Sequence, residues 1–325
     1  MSRPLLLGTR GSELALAQAH MTRDALAAAG VPCEIRIIHT IGDKRPDLKL
    51  SEFSQGADAV VDKGIFTKEL EEALLRREID FAVHSLKDVP TELAPPFEIC
   101  TTLPRAATPD VLLAMEEGLV GDLTRLGGRT IATSSVRRAR QLSWLCPEVK
   151  VVDIRGNVPT RIRKLIANAA SGEWQGILLA RAGLERLGIY EPGEASFAFE
   201  GSTVFAHELE EGQFLPAAGQ GAIGIEILKE SEAVREALAK INDVPTFTRV
   251  AAERAFLAAL KAGCQTPVGA LTWFEDEGET LAMSVRVFDE DDPTGEPFCA
   301  EVRGPASEPA ALARDLMEKM GRPIS

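Results

Sequence analysis

The feature that most restricts the folding of this chain is the alternation of short β-rich runs with amphipathic helical runs. Residues 5–9 read as a strand. The helix after it carries Leu14, Ala17, Met21, Ala25 and Ala28 on one face, opens at Ser12 and stops at Gly30. A strand over 34–40, a helix over 66–76 and a strand over 79–84 follow. This order predicts a parallel sheet covered by helices. After the proline-punctuated segment from Pro90 to Pro109 the pattern restarts, with strands over 129–133, 149–153 and 176–180 and helices over 136–145, 157–169 and 182–187. The final third changes character. A long helix over 245–262 has a proline near its start and Gly263 just past its end. Alternating segments near 268–274, 280–288 and 297–303 and a helix over 307–320 complete a small α+β unit.

A length of 325 residues exceeds the ~250–300 at which single cores stop growing, so two or three units are expected. With 5% aromatic residues, packing falls mainly to Leu, Ile, Val and Ala. The apolar run Leu5-Leu6-Leu7 is broken by Gly8-Thr9-Arg10, too short for a signal peptide. No run approaches the ~18 apolar residues of a membrane span. Cys33, Cys100, Cys146, Cys264 and Cys299 are odd in number and form no C-x-x-C pair, which suggests neither a disulfide framework nor a zinc site. A reducing, cytoplasmic setting is the expectation. His20, His39, His84 and His207 share no metal-ligand spacing, and no metal is expected. His84, ending a strand, reads as a buried hydrogen-bonding residue rather than a catalyst.

The net charge of −13 argues against a general nucleic-acid binder, but the charge is unevenly spread. From Arg125 to Lys164 ten basic residues face only Glu148 and Asp153, so this stretch carries 10 − 2 = +8. Trp144 is its sole aromatic, which leaves no stacking platform for RNA. Either a solvated basic face or one concentrated anion site would explain the charge.

Position favours the anion site. In open α/β sheets ligands bind beyond the carboxyl ends of strands, where helix N-termini also point. Thr9-Arg10-Gly11-Ser12, Gly42-Asp43, His84-Ser85-Leu86-Lys87-Asp88, Thr133-Ser134-Ser135-Val136-Arg137-Arg138 and Arg155-Gly156-Asn157 all fall at such ends. Hydroxyls and free helix N–H groups bind anions, and arginine adds paired hydrogen bonds to carboxylates. No G-x-x-x-x-G-K-[ST] loop or G-x-G-x-x-G fingerprint is present, so a ligand with several carboxylates suits the chain better than a nucleotide.

The strings Thr9-Arg10-Gly11-Ser12, Val83-His84-Ser85-Leu86-Lys87-Asp88-Val89-Pro90, Thr133-Ser134-Ser135-Val136-Arg137-Arg138, Ile154-Arg155-Gly156-Asn157, Leu215-Pro216-Ala217-Ala218-Gly219-Gln220-Gly221 and Gly263-Cys264-Gln265-Thr266-Pro267 resemble the motifs of porphobilinogen deaminases, in that family's order. The resemblance runs from about Leu5 to the C-terminal helix. It implies two periplasmic-binding-protein-like α/β domains, over 1–104 with 207–222 and over 105–206, plus a small C-terminal α+β domain over 223–325. It implies a dipyrromethane cofactor bound covalently as a thioether to Cys264. Four porphobilinogen molecules would be added stepwise with loss of ammonia, and hydrolysis would free the linear tetrapyrrole hydroxymethylbilane.

By the same resemblance Asp88 is the catalytic residue, placed to move a proton and stabilise a pyrrole-derived cation. Lys87, Ser85, Thr133, Ser134, Ser135, Arg137, Arg138, Arg155 and Asp88 would hold the cofactor. Arg10, Ser12, Arg155, Arg161 and Arg186 would bind substrate, and Lys63-Gly64 would belong to a lid with the loop 44–62. Cys264 follows a helix C-terminus, where the dipole opposes a thiolate, so its attachment would depend on an electrophilic substrate intermediate. Ala262, Arg181 and a long segment over 191–213 depart from the family's usual pattern. A monomer with no nucleic-acid or membrane partner is expected. The chief rival reading is a non-enzymatic two-lobed carboxylate-binding protein, which would leave Cys264 and the third unit unexplained.

Overall fold

The computed structural model describes residues 3–39, 67–262, 266–292 and 294–321. Its first sheet has the order β2 (Cys33–Ile37), β1 (Leu5–Thr9), β3 (Phe81–Ser85), β11 (Ile223–Leu228) and β4 (Phe97–Thr102). β1 pairs parallel with β2 and β3, as the βαβ order requires. Helix α2 (Lys68–Leu75), within the expected span 66–76, packs Leu70, Ala73 and Leu74 against Ala82 and Phe97. β11 runs antiparallel to both of its neighbours, so the sheet is mixed rather than parallel throughout.

The return to this sheet, expected over 207–222, is made instead by β11, and the expected boundary at 223 moves accordingly. All six residues of β11 are buried, which suits a slot between two strands rather than the start of a new unit. The helix α6 (Glu232–Ala239) also packs here, with Ala237 and Leu238 in the core of Leu7, Leu26, Phe81 and Ile225. Residues 209–214 lie with the second sheet, where Leu209 and Phe214 are core residues.

Helix α1 (Glu13–Ala28) starts as expected, the Ser12 hydroxyl accepting from the Ala15 amide at 3.3 Å. Its buried residues are Gln18, Ala19, Thr22 and Leu26, not the predicted stripe, and Met21 is 44% exposed. Two polar residues can be buried because each finds a partner. Thr22 donates to the Gln18 carbonyl at 2.9 Å, and the Gln18 amide nitrogen lies 2.7 Å from the Ser85 hydroxyl.

The second sheet has the order β7 (Lys150–Val152), β6 (Thr130–Ala132), β8 (Gly176–Ala180), β5 (Asp110–Ala114), β10 (Ser202–Glu208) and β9 (Ser196–Phe199). The central strands are apolar on both faces. Val111, Leu113, Ile177 and Leu179 pack in one core, and Leu112, Ala114 and Leu178 in another. Helices α3 (Val136–Leu145), α4 (Val158–Ala170) and α5 (Arg181–Arg186) complete this unit. The long segment after residue 190 is largely the β9–β10 hairpin. Its two-residue turn, Glu200-Gly201, has φ of 48° and 83°, the pairing that matches strand twist. Arg181, the unexpected arginine, bridges Glu185 and Glu208 at 2.5 and 2.7 Å.

The third sheet is the antiparallel meander β12 (Val268–Glu275), β13 (Thr280–Val287) and β14 (Phe298–Pro305). Helices α7 (Val244–Ala259) and α8 (Ala311–Lys319) cover it, burying Ala252, Phe256, Met283 and Leu316. It docks on α3 through Arg286, which donates to the Gln141 side chain at 2.9 Å and lies 4.7 Å over the Trp144 ring.

The chain crosses between the first two sheets twice, and the crossovers lie side by side. The Ala106 amide donates to the Gly221 carbonyl at 3.1 Å. A Cβ on residue 221 would sit 2.4 Å from the Ala106 carbonyl oxygen, at φ +81°, so this close approach requires glycine.

Candidate active site

β3 ends at Ser85 and passes into one 3-10 turn, Leu86–Asp88. Leu86 and Val89 turn inward, packing with Ala222 and Val250. That anchorage leaves the two residues between them, Lys87 and Asp88, facing outward. The Asp88 carboxylate forms no hydrogen bond or ion pair among the described residues, although a lysine precedes it.

From the second sheet, the turn Thr133-Ser134-Ser135 leads into α3. Its hydroxyls are engaged locally. Ser135 caps the helix, accepting from the Arg138 amide at 3.4 Å, and Thr133 accepts from the Ser135 amide at 3.2 Å. Ser134 donates to the Ile154 carbonyl, tying this turn to the next one. There Asn157 caps α4, accepting from the Thr160 amide at 3.0 Å. Arg155 pairs with Asp153 at 3.0 Å, and Arg161 donates from Nε to the Gly156 carbonyl at 2.8 Å.

Arg137 and Arg138 are buried, and both face Asp110, at 2.8 and 2.7 Å. Arg137 also donates to the Leu215 carbonyl and Arg138 to the Leu178 carbonyl. Asp110 is fully buried. Burial would raise its pKa, but the two guanidinium groups outweigh that and hold the carboxyl far below the usual carboxylate range.

The cluster carries uncompensated positive charge. Lys87 is open to water on its outer side and surrounded by protein elsewhere. Desolvation, followed by repulsion from Arg138, lowers its pKa to about 8 against the attraction of Asp88 and Asp110. Arg161 is lowered to about 10 by burial and by Arg138 and Arg155, with Asp88 and Asp153 opposing. Lys87 and Arg161 both feel Asp88 and Arg138, and Arg161 also feels Arg155, so these five residues, carried by both units, lie near one another. An anion entering here would gain what these cations lack.

The other expected site residues surround this cluster unevenly. Arg10 and Ser12 follow β1. The start of α1 faces the second unit, where a Cβ on Gly183 would lie 3.7 Å from both Leu14 and Val158. Ser85 lies against Gln18, with its hydroxyl 2.7 Å from the amide nitrogen. Arg186 reaches the crossover, donating to the Gly221 carbonyl at 2.6 Å, and burial lowers its pKa to about 10. Cys264, Lys63, Gly64, Gly42-Asp43 and the loop 44–62 lie outside the described residues. His84 is buried, with Nε2 2.9 Å from the buried carboxylate of Glu226.

Asp110, Gln220 and Gln18 were missed as site residues. Asp110 had a signal: a carboxylate opening the otherwise apolar strand Val111-Leu112-Leu113-Ala114 needs cationic partners. Gln220 lay in a motif but carried no charge to mark it.

The family description "Porphobilinogen deaminase, dipyromethane cofactor binding domain" matches residues 5–236, and "Porphobilinogen deaminase, C-terminal domain" matches residues 247–322. A porphobilinogen deaminase of Rubrobacter xylanophilus is 41% identical over 321 residues, covering 98% of this chain and 94% of its own. One of Thermus thermophilus is 39% identical over 329 residues, covering 99% and 98%. A solved arginine periplasmic binding protein of Legionella pneumophila aligns with a TM-score of 0.39 at 13% identity, over 74% of this chain and 92% of its own, too loosely to bear on function. Agreement of this extent, over both matched regions and the strand-end motifs described above, means that the chain belongs to the porphobilinogen deaminase family.

Proposed function

We infer that this chain joins four porphobilinogen molecules head to tail on a covalent dipyrromethane primer and releases hydroxymethylbilane, a step of tetrapyrrole synthesis. The balance is four porphobilinogen and one water in, one hydroxymethylbilane and four ammonia out. What carries the reading is the Asp88 carboxylate, without a hydrogen-bond or ion-pair partner among the described residues, beside Lys87, Arg138, Arg155 and Arg161, in a chain of this family.

The donor set suits the cofactor. Dipyrromethane bears several carboxylates and two pyrrole N–H groups, and the cluster offers crowded cations beside the Asp88 carboxylate, which has no partner among the described residues. Lys87, Arg155 and Arg161 would take the carboxylates, assisted by Arg10, Ser12, Ser85 and the Thr133–Ser135 turn. Arg137 and Arg138, locked on Asp110, would supply positive field from below. When bound through the Cys264 sulfur, the group supplies the nucleophilic pyrrole carbon on which the chain grows. Asp88 would accept hydrogen bonds from pyrrole nitrogens, stabilise the cation left as ammonia departs, and accept or return a proton. Arg186, on the crossover, would contact substrate.

We place the protein in the cytoplasm as a monomer, with porphobilinogen as its small-molecule partner. No helix among the described residues is long and apolar enough to cross a membrane. The two-lobed binding-protein alternative is set aside by the family's cofactor and C-terminal regions.

Intact mass tests the reading. Protein incubated with porphobilinogen should carry the added mass of two linked pyrrole units, and the Cys264→Ala variant should carry none. Wild-type protein that gains no mass and consumes no porphobilinogen would overturn it.

A further inference from the structure

Gln220 is wholly buried on the crossover that returns to the first sheet, and its carboxamide is engaged at both ends. The nitrogen donates to the Thr108 carbonyl at 2.7 Å and to Asp110 Oδ1 at 3.0 Å. Turning the amide over would set its oxygen against these two acceptors and its N–H groups against an ammonium. Only one orientation satisfies the site. In it, Oε1 faces Lys87, whose Nζ donates to it at 3.3 Å.

The backbone on either side supports the same turn. The Leu86 amide donates to the Ala222 carbonyl at 3.0 Å. A Cβ on Gly219 would lie 3.2 Å from the Lys87 backbone nitrogen, so the crossover is pressed against the turn that carries Lys87 and Asp88. Lys87 feels attraction from Asp88 and repulsion from Arg138. Its ammonium nevertheless makes no ion pair with Asp88; its hydrogen-bond partner among the described residues is the neutral oxygen of Gln220.

We propose that Gln220 is a positioning residue that holds the Lys87 ammonium off the Asp88 carboxylate, leaving Asp88 free for the reacting pyrrole and the other Lys87 N–H donors free for a ligand carboxylate. This rests on the functional reading above. Without the acceptor, Lys87 pairs with Asp88 and masks it. Turnover then suffers more than substrate binding. Asp110 stands behind the arrangement, because it fixes the amide that fixes the lysine.

The test is a double-mutant cycle on porphobilinogen consumption by cofactor-loaded enzyme, with Gln220→Met, Lys87→Met and the pair. Gln220→Met keeps the length and removes the acceptor. It should lower kcat by roughly 10- to 100-fold, the scale of a small misplacement in an active site, with KM changed less. In the Lys87→Met background no ammonium remains to misplace, and the same change should cost under ~2-fold in kcat, the range of uncoupled error. An equal loss in both backgrounds means Gln220 acts through the fold and overturns the proposal, as does near-normal turnover of Gln220→Met. If the Met variant melts early, Gln220→Asn keeps the amide and withdraws it by one methylene; it should show the same dependence on Lys87, and failure to do so also overturns the proposal. Wild-type enzyme that consumes no porphobilinogen overturns the functional reading and the proposal together.

Discussion

Arg105 and Glu253 meet as a two-pronged ion pair, Nη1 to Oε1 at 2.7 Å and Nη2 to Oε2 at 2.9 Å. Glu253 also accepts from the Gly219 amide at 2.7 Å and the Thr272 hydroxyl at 2.6 Å. Arg105 donates from Nε to the Gln220 carbonyl at 2.9 Å. One buried carboxylate on α7 thus joins both crossovers and the third sheet.

Removing one member leaves the other buried and unpaired, which typically costs about 3–5 kcal/mol. Glu253→Ala should lose that much stability in urea unfolding, and Arg105→Ala a similar amount. The double variant should lose clearly less than the sum, because the two residues share the interaction.

Asp88→Asn keeps shape and removes the negative charge. Turnover of porphobilinogen should fall at least ~10²-fold, the usual scale for a general acid or base, while the melting temperature stays near that of the wild type. Steady-state assay beside a thermal melt separates the two effects.

Lys87 titrates near pH 8, below the ordinary 10.5, because burial and Arg138 disfavour its charge. Between these two values the unfolded chain keeps a proton that the folded chain has released, so this residue's contribution to stability rises with pH across that window. Anion binding responds in the opposite sense. KM for porphobilinogen should climb above about pH 8 as the ammonium is lost. Lys87→Arg should move that climb to higher pH, and Lys87→Met should abolish it at the cost of weaker binding throughout.

Asp110, held far below the usual range by Arg137 and Arg138 against the cost of burial, contributes stability that is present above the ordinary carboxylate pKa. It is lost as pH falls through the folded value. Asp110→Asn should destabilise the protein by about 3–5 kcal/mol at neutral pH. The gap between variant and wild type should narrow below about pH 4 in acid-unfolding curves, since wild-type Asp110 then loses its advantage.

Much of the fold was legible because periodicity and strand-end chemistry agree. The turns at Ser85–Asp88, Thr133–Arg138 and Arg155–Asn157 lie at strand ends, as their sequence order predicted. β4 and β5 were not legible, because Pro95-Pro96 and Pro104 flank or separate them and read as loop. β11 was not legible either, because a strand buried on both faces lacks alternation, and which sheet it joins is decided by long-range pairing. On α1 the stripe failed because Gln18 and Thr22 are buried through hydrogen bonds that hydropathy does not register. In the site, charged residues were visible and the neutral amide linking them was not. The resemblance assigns Arg137 and Arg138 to the cofactor, and their pairing with Asp110 was not legible beside it, because the position of Asp110 depends on β5 lying beside β8.

The place of β11 between β3 and β4 also sets an order of events during synthesis. Ile223 leaves the ribosome 223 − 102 = 121 residues after Thr102, the last residue of β4. At about 5–20 residues per second the first sheet waits some 6–24 s with the slot between β3 and β4 empty. Meanwhile all six strands of the second sheet emerge and can close on their own cores. The lobe that begins the chain is therefore completed second, and a chaperone that shields bare strand edges would meet this protein at β3 and β4.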